Sequence, residues 1–227
     1  MKLKRFKVAI DSPAASGAGS ISKMLAKRYN LLYCDTGKIY RYLAHKLITK
    51  NITNKITYLK KISKKIDLKK LHNKNLLNDK IAFNASQIAK DLRVRKFVLK
   101  FQRNIAYNPP KKFNGSILDG RDICSVVVPD ADIKLYITAS VNIRAKRRHK
   151  ELVRLGRKVK FAKILKSMKK RDREDRTRVH SKLKKTKDSH LINTTNLSIK
   201  SSFLKVKKIM DRKLKTKYGK FYKTKSR

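Results

Sequence analysis

The sequence predicts an α/β fold in which a central parallel sheet carries helices on both of its faces. Short apolar strands alternate with helical segments along the chain, which is the pattern of a parallel sheet with helical crossovers. Several of these strands end in polar sequence, and the carboxyl ends of parallel strands meet at the ligand-binding edge of such a sheet. A length of 227 residues suits one domain of this kind with a sizeable core.

The stretch at 8–20 is the one around which the rest of the chain is organised. It predicts a buried strand, a turn of small residues and a helix that opens at Ser20. Backbone amides at a helix N-terminus attract phosphate, so the turn is a candidate phosphate loop. Against the pattern G-x-x-x-x-G-K-[S/T], it keeps Gly17 and a hydroxyl at Ser20. It lacks the first glycine, where Ser12 stands, and the lysine, where Ala18 stands, so an ordinary strand-turn-helix is the alternative interpretation.

Three further polar segments are candidates for the same site. The sequence Asp-Thr-Gly-Lys at 35–38 follows the second predicted strand, and Asp-Gly-Arg-Asp at 119–122 follows the third. Helix capping is the simpler interpretation of Asp35 and Thr36. The alternating charges at 171–178, taken alone, favour a solvated helix face with exposed ion pairs.

The charge of the chain is extreme, with 63 lysines and arginines against 15 acids and a formal net charge of +48. Such a charge is typical of nucleic-acid binding. The lysines are spread along the whole chain, however, which weakens that interpretation. The scarce acids are concentrated instead, and seven of the 15 lie in the four polar segments: Asp11, Asp35, Asp119, Asp122, Asp172, Glu174 and Asp175.

The two cysteines, Cys34 and Cys124, are predicted to be reduced thiols, because they form neither a C-x-x-C pair nor a zinc spacing with the histidines. The apolar runs are too short for a transmembrane span, and the first predicted strand begins too early to leave room for a signal peptide. We therefore expect a cytoplasmic enzyme with no membrane partner.

The polar segments, in their order and spacing, resemble those of the bacterial cytidylate kinases, a family of P-loop nucleoside monophosphate kinases. The matching segments are 11–20, 35–41, 119–122 and 171–178, with further likeness at 85–89 and 193–199. The resemblance implies a three-layer P-loop kinase fold in a single domain at 1–227. Its parts would be a core at about 1–48 and 114–214, an acceptor-nucleotide insert at about 49–113, a short lid at about 154–162 and a basic tail at 215–227.

The resemblance also implies a kinase that transfers the γ-phosphoryl group of ATP to CMP or dCMP, giving CDP or dCDP and ADP, in pyrimidine metabolism. ATP would be the phosphoryl donor and Mg2+ the cofactor, and we expect a monomer. The ATP phosphates would lie against the whole loop, which consists of Ser12, Pro13, Ala14, Ala15, Ser16, Gly17, Ala18, Gly19 and Ser20. Ser20 would also reach Mg2+ through the nucleotide.

The acceptor nucleotide would be bound, by the same resemblance, by Thr36, Arg41, Ser86, Arg95, Arg121, Asp122, Arg171 and Asp175. Cytosine presents an amino donor where uracil presents an oxygen acceptor, so a carboxylate at Asp122 would favour cytosine. Phosphoryl transfer requires positioning and positive charge more than a covalent catalyst. The resemblance assigns that role to Arg121, Arg171 and Arg178.

The lysine missing at Ala18 ordinarily spans the β- and γ-phosphates, so an active enzyme needs another cation there. Lys38 is a candidate for this catalytic role because it lies at a strand end that we expect beside the loop. Lys23, one helical turn beyond Ser20, is the second candidate, and the combined charge of the arginines is an equal alternative to Lys38. A different outcome is a catalytically inactive kinase-fold protein that binds RNA non-specifically through its basic surface.

Overall fold

A parallel sheet forms the centre of the protein in a computed structural model that describes residues 5–50, 52 and 55–219. The strands of this described part are β1 (Phe6–Asp11), β2 (Leu32–Asp35), β3 (Gly115–Gly120), β4 (Ile133–Thr138) and β5 (His190–Asn193). They lie in the order β2-β3-β1-β4-β5, and every pairing is parallel. The predicted parallel sheet is confirmed, and β1 occupies its middle.

Helices connect the strands and cover the sheet. They are α1 (Ala18–Tyr29), α2 (Thr36–Ile48), α3 (Lys55–Ser63), α4 (Asp79–Ile88), α5 (Leu92–Tyr107), α6 (Val141–Arg154), α7 (Phe161–Thr177) and α8 (Ile199–Tyr218). Short 3₁₀ turns lie at Leu68–His72 and Lys74–Leu77, and a π-helical turn lies at Ile123–Val127. In the ranges that the structure describes, no helix is both long enough and apolar enough to cross a bilayer.

The sheet is covered on both faces because alternate residues of a strand point to opposite sides. Val8 and Ile10 of β1 belong to one buried apolar cluster, which includes Leu25 of α1 and Met210 of α8. Ala9, between them, belongs to a second cluster, which draws its other members mainly from α2, α5 and the segment between these helices. The three-layer arrangement expected from the sequence is therefore confirmed.

The last helix continues past residue 215, where the basic tail was expected to begin. Leu214 is buried, and Tyr218 packs its ring 6.4 Å from that of Phe6. The Tyr218 hydroxyl also donates a hydrogen bond to Asp132 at 3.2 Å. These distant partners keep α8 helical to Tyr218, and the remainder of the expected tail, at 220–227, lies outside the described residues.

The two cysteines are buried free thiols, in agreement with the prediction. Burial raises the pKa of both Cys34 and Cys124, with nearby carboxylates adding to the effect, so neither is activated as a thiolate. They serve as small core side chains.

Asp11, at the end of β1, fixes the backbone that follows β3. Its carboxylate accepts hydrogen bonds from the amides of Ile123 at 2.6 Å and Cys124 at 3.0 Å, and the side chain is fully buried. Burial raises the pKa of Asp11 to about 6, although the two amide donors act in the opposite direction. The carboxylate thus ties the central strand to the turn that carries Asp122.

Replacing Asp11 with asparagine should lower the free energy of unfolding by about 1–3 kcal/mol at neutral pH, because one amide donor would face an NH2 group. The folded pKa of about 6 exceeds the ordinary value of 3.8, so folding takes up a proton between these values. The wild-type protein therefore gains stability from this group as the pH falls from about 6 to about 4, and the variant does not. Urea denaturation at both ends of this range should show that the difference in free energy of unfolding between the wild type and the variant is larger at the acidic end. A constant difference would contradict the raised pKa of Asp11.

Candidate functional site

One cleft of about 420 Å3 lies at the carboxyl ends of the strands and contains every residue predicted to bind substrate or to act in catalysis. Its lining includes the whole loop at 12–20 and also Thr36, Lys38, Arg41, Ser86, Arg95, Arg121, Asp122, Arg171, Asp175 and Arg178. Lys23 lines it as well. Residues as far apart in sequence as Ser12 and Arg178 therefore meet in one place.

The loop after β1 turns sharply into α1. Gly17 has a φ of +93°, a left-handed conformation that side chains disfavour, and α1 begins at the next residue. The Ser16 hydroxyl accepts a hydrogen bond from the amide of Ala18 at 3.3 Å. The amide of Ile21 donates to the carbonyl of Gly17 at 3.1 Å. The amides of Gly19 and Ser20 precede the first acceptor that the helix itself can offer. They give this end of the cleft the partial positive charge that suits phosphate.

Three side chains that are not among the predicted site residues hold the loop in place. Arg144 donates to the carbonyl of Ala14 at 3.2 Å, while Arg147 and Thr194 donate to the carbonyl of Ser16 at 3.2 and 2.8 Å. With these carbonyls engaged by partners on α6 and after β5, the loop is held in one shape. The sequence signal was weak, since the two arginines resemble their exposed neighbours on a basic helix.

Arg144 is itself fixed by a buried ion pair with Asp172. Two hydrogen bonds of 3.1 and 2.5 Å join the guanidinium to the carboxylate, and the exposed fractions of the two residues are 2% and 9%. The interpretation of 171–178 as a solvated helix face is therefore wrong for Asp172. It holds for Arg173 and Arg176, which are exposed.

Asp175 is surrounded by arginines on the opposite side of the cleft. Its carboxylate lies 2.9 Å from Arg121, 3.7 Å from Arg178 and 4.0 Å from Arg171. Burial acts to raise the pKa of Asp175, but Arg121 and Arg171 outweigh it and hold the pKa below its ordinary value. Three cations share one anion here, which leaves net positive charge facing the loop.

Two donors of this cluster have no hydrogen-bond partner in the described part of the chain. They are Nε of Arg171 and Nη2 of Arg178, and both atoms are buried. Burial, together with the nearby guanidinium of Arg121, lowers the pKa of Arg171 to about 10. Buried donors without partners cost free energy, so the cluster is chemically suited to an anion with several oxygens.

Asp122 and Arg95 form a second polar group deeper toward α4 and α5. Arg95 donates to the carboxylate of Asp122 and, at 3.1 Å, to the carbonyl of Ala89, and its guanidinium lies 5.8 Å from the ring centre of Tyr40. Asp122 is only 5% exposed. Ser86, on the last turn of α4, currently donates to the carbonyl of Phe83 at 2.7 Å.

The strand ends at Asp35 and Asp119 complete the cleft. Asp35 caps α2 by accepting the amide of Lys38 at 3.3 Å, so the capping interpretation is right for this residue. Thr36 is buried and donates to the carbonyl of Asp119 at 2.7 Å. The Asp119 carboxylate accepts from Tyr33 at 2.9 Å, and burial together with Asp35 raises its pKa to about 7.

Arg41 contributes to the cleft from α2. It donates to the carbonyl of Leu76 at 2.9 Å and thereby joins this helix to the 3₁₀ turn at Lys74–Leu77. The guanidinium also adds to the positive charge around Arg171. It therefore lies near Arg171 of the arginine cluster.

The fold and the cleft define a class of protein: a phosphate loop after the central strand of a parallel sheet, facing an arginine cluster, is the arrangement of a P-loop phosphotransferase. The family model for cytidylate kinase matches residues 8–212. The chain belongs to the cytidylate kinase family.

Individual relatives agree with this assignment. The chain is 43% identical over 214 residues to the cytidylate kinase of Bartonella bacilliformis, covering 93% of this chain and 97% of that protein. It is 39% identical over 213 residues to the cytidylate kinase of Rhizobium meliloti, covering 93% and 99%. A crystal structure of an uncharacterized protein from Eubacterium ventriosum superposes with a TM-score of 0.54 at 17% identity, covering 91% and 99%, which shows a shared fold alone.

Proposed function

We propose that the protein transfers the γ-phosphoryl group of ATP to CMP or dCMP, giving CDP or dCDP and ADP. The observation that carries this proposal is the arginine cluster with unpaired buried donors, which faces a phosphate loop across one cleft. Membership of the cytidylate kinase family supports the choice of substrate. It does not favour the alternative of an inactive RNA-binding protein.

The two ends of the cleft bind different groups. The loop at 12–20 receives the ATP phosphates through its amides, while Arg121, Arg171 and Arg178 receive the phosphate of the acceptor and the charge of the transferring group. Thr36 and Arg41 flank the acceptor phosphate, and Asp175 orients the arginines and reaches the ribose. Holding both nucleotides in line supplies the proximity on which phosphoryl transfer depends.

Base selection is assigned to Asp122, with Arg95 and Ser86 beside it. The carboxylate accepts from the cytosine amino group and repels the uracil oxygen at the same position. Because Arg95 already holds Asp122, the carboxylate is fixed before the nucleotide arrives. This pre-organisation makes discrimination less dependent on substrate-induced movement.

Replacing Asp122 with asparagine should lower the ratio of kcat/KM for CMP over UMP by roughly 10- to 100-fold, which corresponds to about 1–3 kcal/mol of lost preference. CMP activity should also fall, because Arg95 loses its charged partner. Steady-state kinetics with both nucleotides measures this. Asp188→Asn, at an exposed carboxylate outside the cleft, is the matched control. An unchanged ratio would remove Asp122 from base reading.

Mg2+ is expected to enter with the nucleotide. Two oxygen donors suit this ion. The Ser20 hydroxyl lines the cleft. The Asp119 carboxylate lies beside Gly19 of the loop, 3.7 Å from the position that a Cβ would take there. Mg2+ prefers oxygen ligands from a few protein groups and substrate phosphates, and its charge would offset that of the β- and γ-phosphates. The described residues contain no group of three or more His, Cys, Asp or Glu side chains that could hold a metal by themselves, which suits an ion carried by ATP.

Lys38 is proposed as the cation that replaces the lysine missing at Ala18. It is half-buried on the first turn of α2 and lines the cleft that contains the loop. Lys23 also lines the cleft but is exposed to solvent, where water screens its charge. The less exposed ammonium is the stronger electrostatic partner for phosphate.

A small lid is proposed at 154–162, between α6 and α7. Gly156 there has a φ of +73° with no atom within 4 Å of where a Cβ would be, and His149 lies 3.1 Å from the carbonyl of Val159. Val159 and Phe161 pack against the same small apolar cluster as Ala14 and Ala15 of the phosphate loop, so closure of this segment would cover ATP and exclude water. The helices at 49–113 would form the acceptor-nucleotide insert.

A coupled assay of ADP release tests the function. Purified protein with ATP and Mg2+ should turn over CMP and dCMP far faster than AMP, GMP or UMP. Equal turnover of all five acceptors would refute the assignment. Filter binding of RNA across a salt series should in turn show only weak, steeply salt-dependent binding.

A further inference from the structure

Ser181 lies in the loop after α7 and contacts two arginines of the cleft at once. Its hydroxyl oxygen accepts a hydrogen bond from Nε of Arg95 at 3.0 Å, and its carbonyl oxygen accepts one from Nε of Arg178 at 2.7 Å. Arg95 belongs to α5, whereas Arg178 is the residue that follows α7. A single residue therefore joins the base-reading side of the cleft to the side where phosphate is transferred.

The hydroxyl completes the hydrogen bonding of Arg95. The other two nitrogens of this guanidinium donate to the carbonyl of Ala89 and to the carboxylate of Asp122. With Ser181 as the third acceptor, each guanidinium nitrogen has a partner, and the plane of the group is fixed. Loss of the hydroxyl would leave the orientation of Arg95 to the other two contacts.

The carbonyl has a different effect on Arg178. Nε of this arginine is held by Ser181, and Nη1 lies 3.7 Å from Asp175. Nη2 is buried without a hydrogen-bond partner among the described residues. The backbone of Ser181 therefore leaves the remaining nitrogen of Arg178 free to donate to a ligand.

The two guanidinium groups repel each other, and Ser181 stands between them. Burial, and then the charge of Arg95, lowers the pKa of Arg178. Two oxygen dipoles from one residue offset part of this repulsion, because each accepts a hydrogen bond from a different cation. They do so without adding a negative charge that would compete with substrate phosphate.

The backbone of Ser181 is strained. Its φ of +58° lies in the left-handed region, which non-glycine residues adopt infrequently. The amide of Leu183, a buried residue, donates to the carbonyl of Asp175 at 2.7 Å and folds the loop back onto α7. Strain that is maintained by such contacts is typical of functional positions.

We propose that Ser181 is a positioning residue for the acceptor nucleotide, whose hydroxyl orients Arg95 toward the base while its carbonyl holds Arg178 beside the transferring phosphate. This inference rests on the proposed function, since both arginines are assigned to a nucleoside monophosphate. The hydroxyl and the carbonyl act on different arginines. They can therefore be tested separately.

Two substitutions separate the hydroxyl from the backbone. Ser181→Ala removes the hydroxyl and keeps the carbonyl, so KM for CMP should rise about tenfold, the loss expected for one hydrogen bond to a charged group, while kcat stays within about twofold. KM for ATP should not change. Ser181→Thr keeps the hydroxyl but places a branched side chain in the left-handed region, so KM for CMP should stay near the wild-type value while Tm falls.

Calorimetric titration with CMP in the absence of ATP measures the same effect without turnover. The Kd of Ser181→Ala should be about tenfold weaker than that of the wild type, and that of His180→Ala, an exposed neighbour, should be unchanged. An alanine variant with a wild-type Kd, or a lower Tm in both variants with no change for CMP, would overturn the inference. Absent kinase activity in a wild type that binds CMP would instead refute the proposed function.

Discussion

The variant Lys38→Ala should lose roughly 10²- to 10³-fold in kcat, the usual effect of removing one preorganised donor from an active site. The loop has no lysine of its own, because Ala18 occupies that position and is buried at the start of α1. Charge that develops on the β- and γ-phosphates must then be met from elsewhere in the cleft. KM for CMP should change little, since Lys38 is assigned to the donor nucleotide.

Lys23→Ala is the matched control, because it removes the same charge from an exposed position that lines the same cleft. Its kcat should stay close to that of the wild type. Adding Ala18→Lys to the Lys38→Ala variant should restore much of the lost rate, since it returns a cation to the loop. A near-normal kcat in Lys38→Ala would contradict the role of Lys38 as the replacement cation. The arginine cluster would then have to account for catalysis.

The variant Arg144→Met should lower the free energy of unfolding by about 3–5 kcal/mol, because it leaves the buried carboxylate of Asp172 without its partner. The substitution also removes the donor to the carbonyl of Ala14, so KM for ATP should rise as the loop loses one of its supports. Urea denaturation and steady-state kinetics measure the two effects. They are expected together because one side chain produces both.

A double variant distinguishes an unpaired charge from a packing defect. Arg144→Met combined with Asp172→Leu should recover a large part of the stability, since no buried charge is then left alone. It should not recover KM for ATP, because Ala14 still lacks its donor. Arg154→Met, at an exposed position of the same helix, should change stability by no more than about 0.5 kcal/mol. A double variant as unstable as the single one would contradict this account.

The sheet and the cleft could be predicted because their signals are local in sequence. Apolar strands followed by polar residues indicated where ligands would lie, and the parallel sheet then brought the strand ends together. Sequence alone could not indicate that Arg144 is buried whereas Arg154, on the same basic helix, is exposed. Its burial depends on Asp172, which is 28 residues away, and on the loop carbonyl of Ala14.

In the segment at 49–80, the burial of apolar residues likewise depends on contacts that are distant in sequence. The sequence there carries no chemistry and suggests a variable insert, yet Leu59, Leu71 and Leu76 are buried in the cluster that also contains Leu43. Their spacing is irregular because they come from a helix and two 3₁₀ turns rather than from one periodic element. Only the tertiary structure defines which of them face inward.

The attachment of Asp11 to the amides of Ile123 and Cys124 bears on how nucleotide preference can evolve in this scaffold. The anchored backbone begins immediately after Asp122, so the residue that we propose as the base reader is held in place by a different strand. A change of that one side chain leaves the two hydrogen bonds of Asp11 in place, because the amides that make them belong to the two residues that follow. Natural selection can therefore vary the side chain at this position without rebuilding the backbone of the cleft.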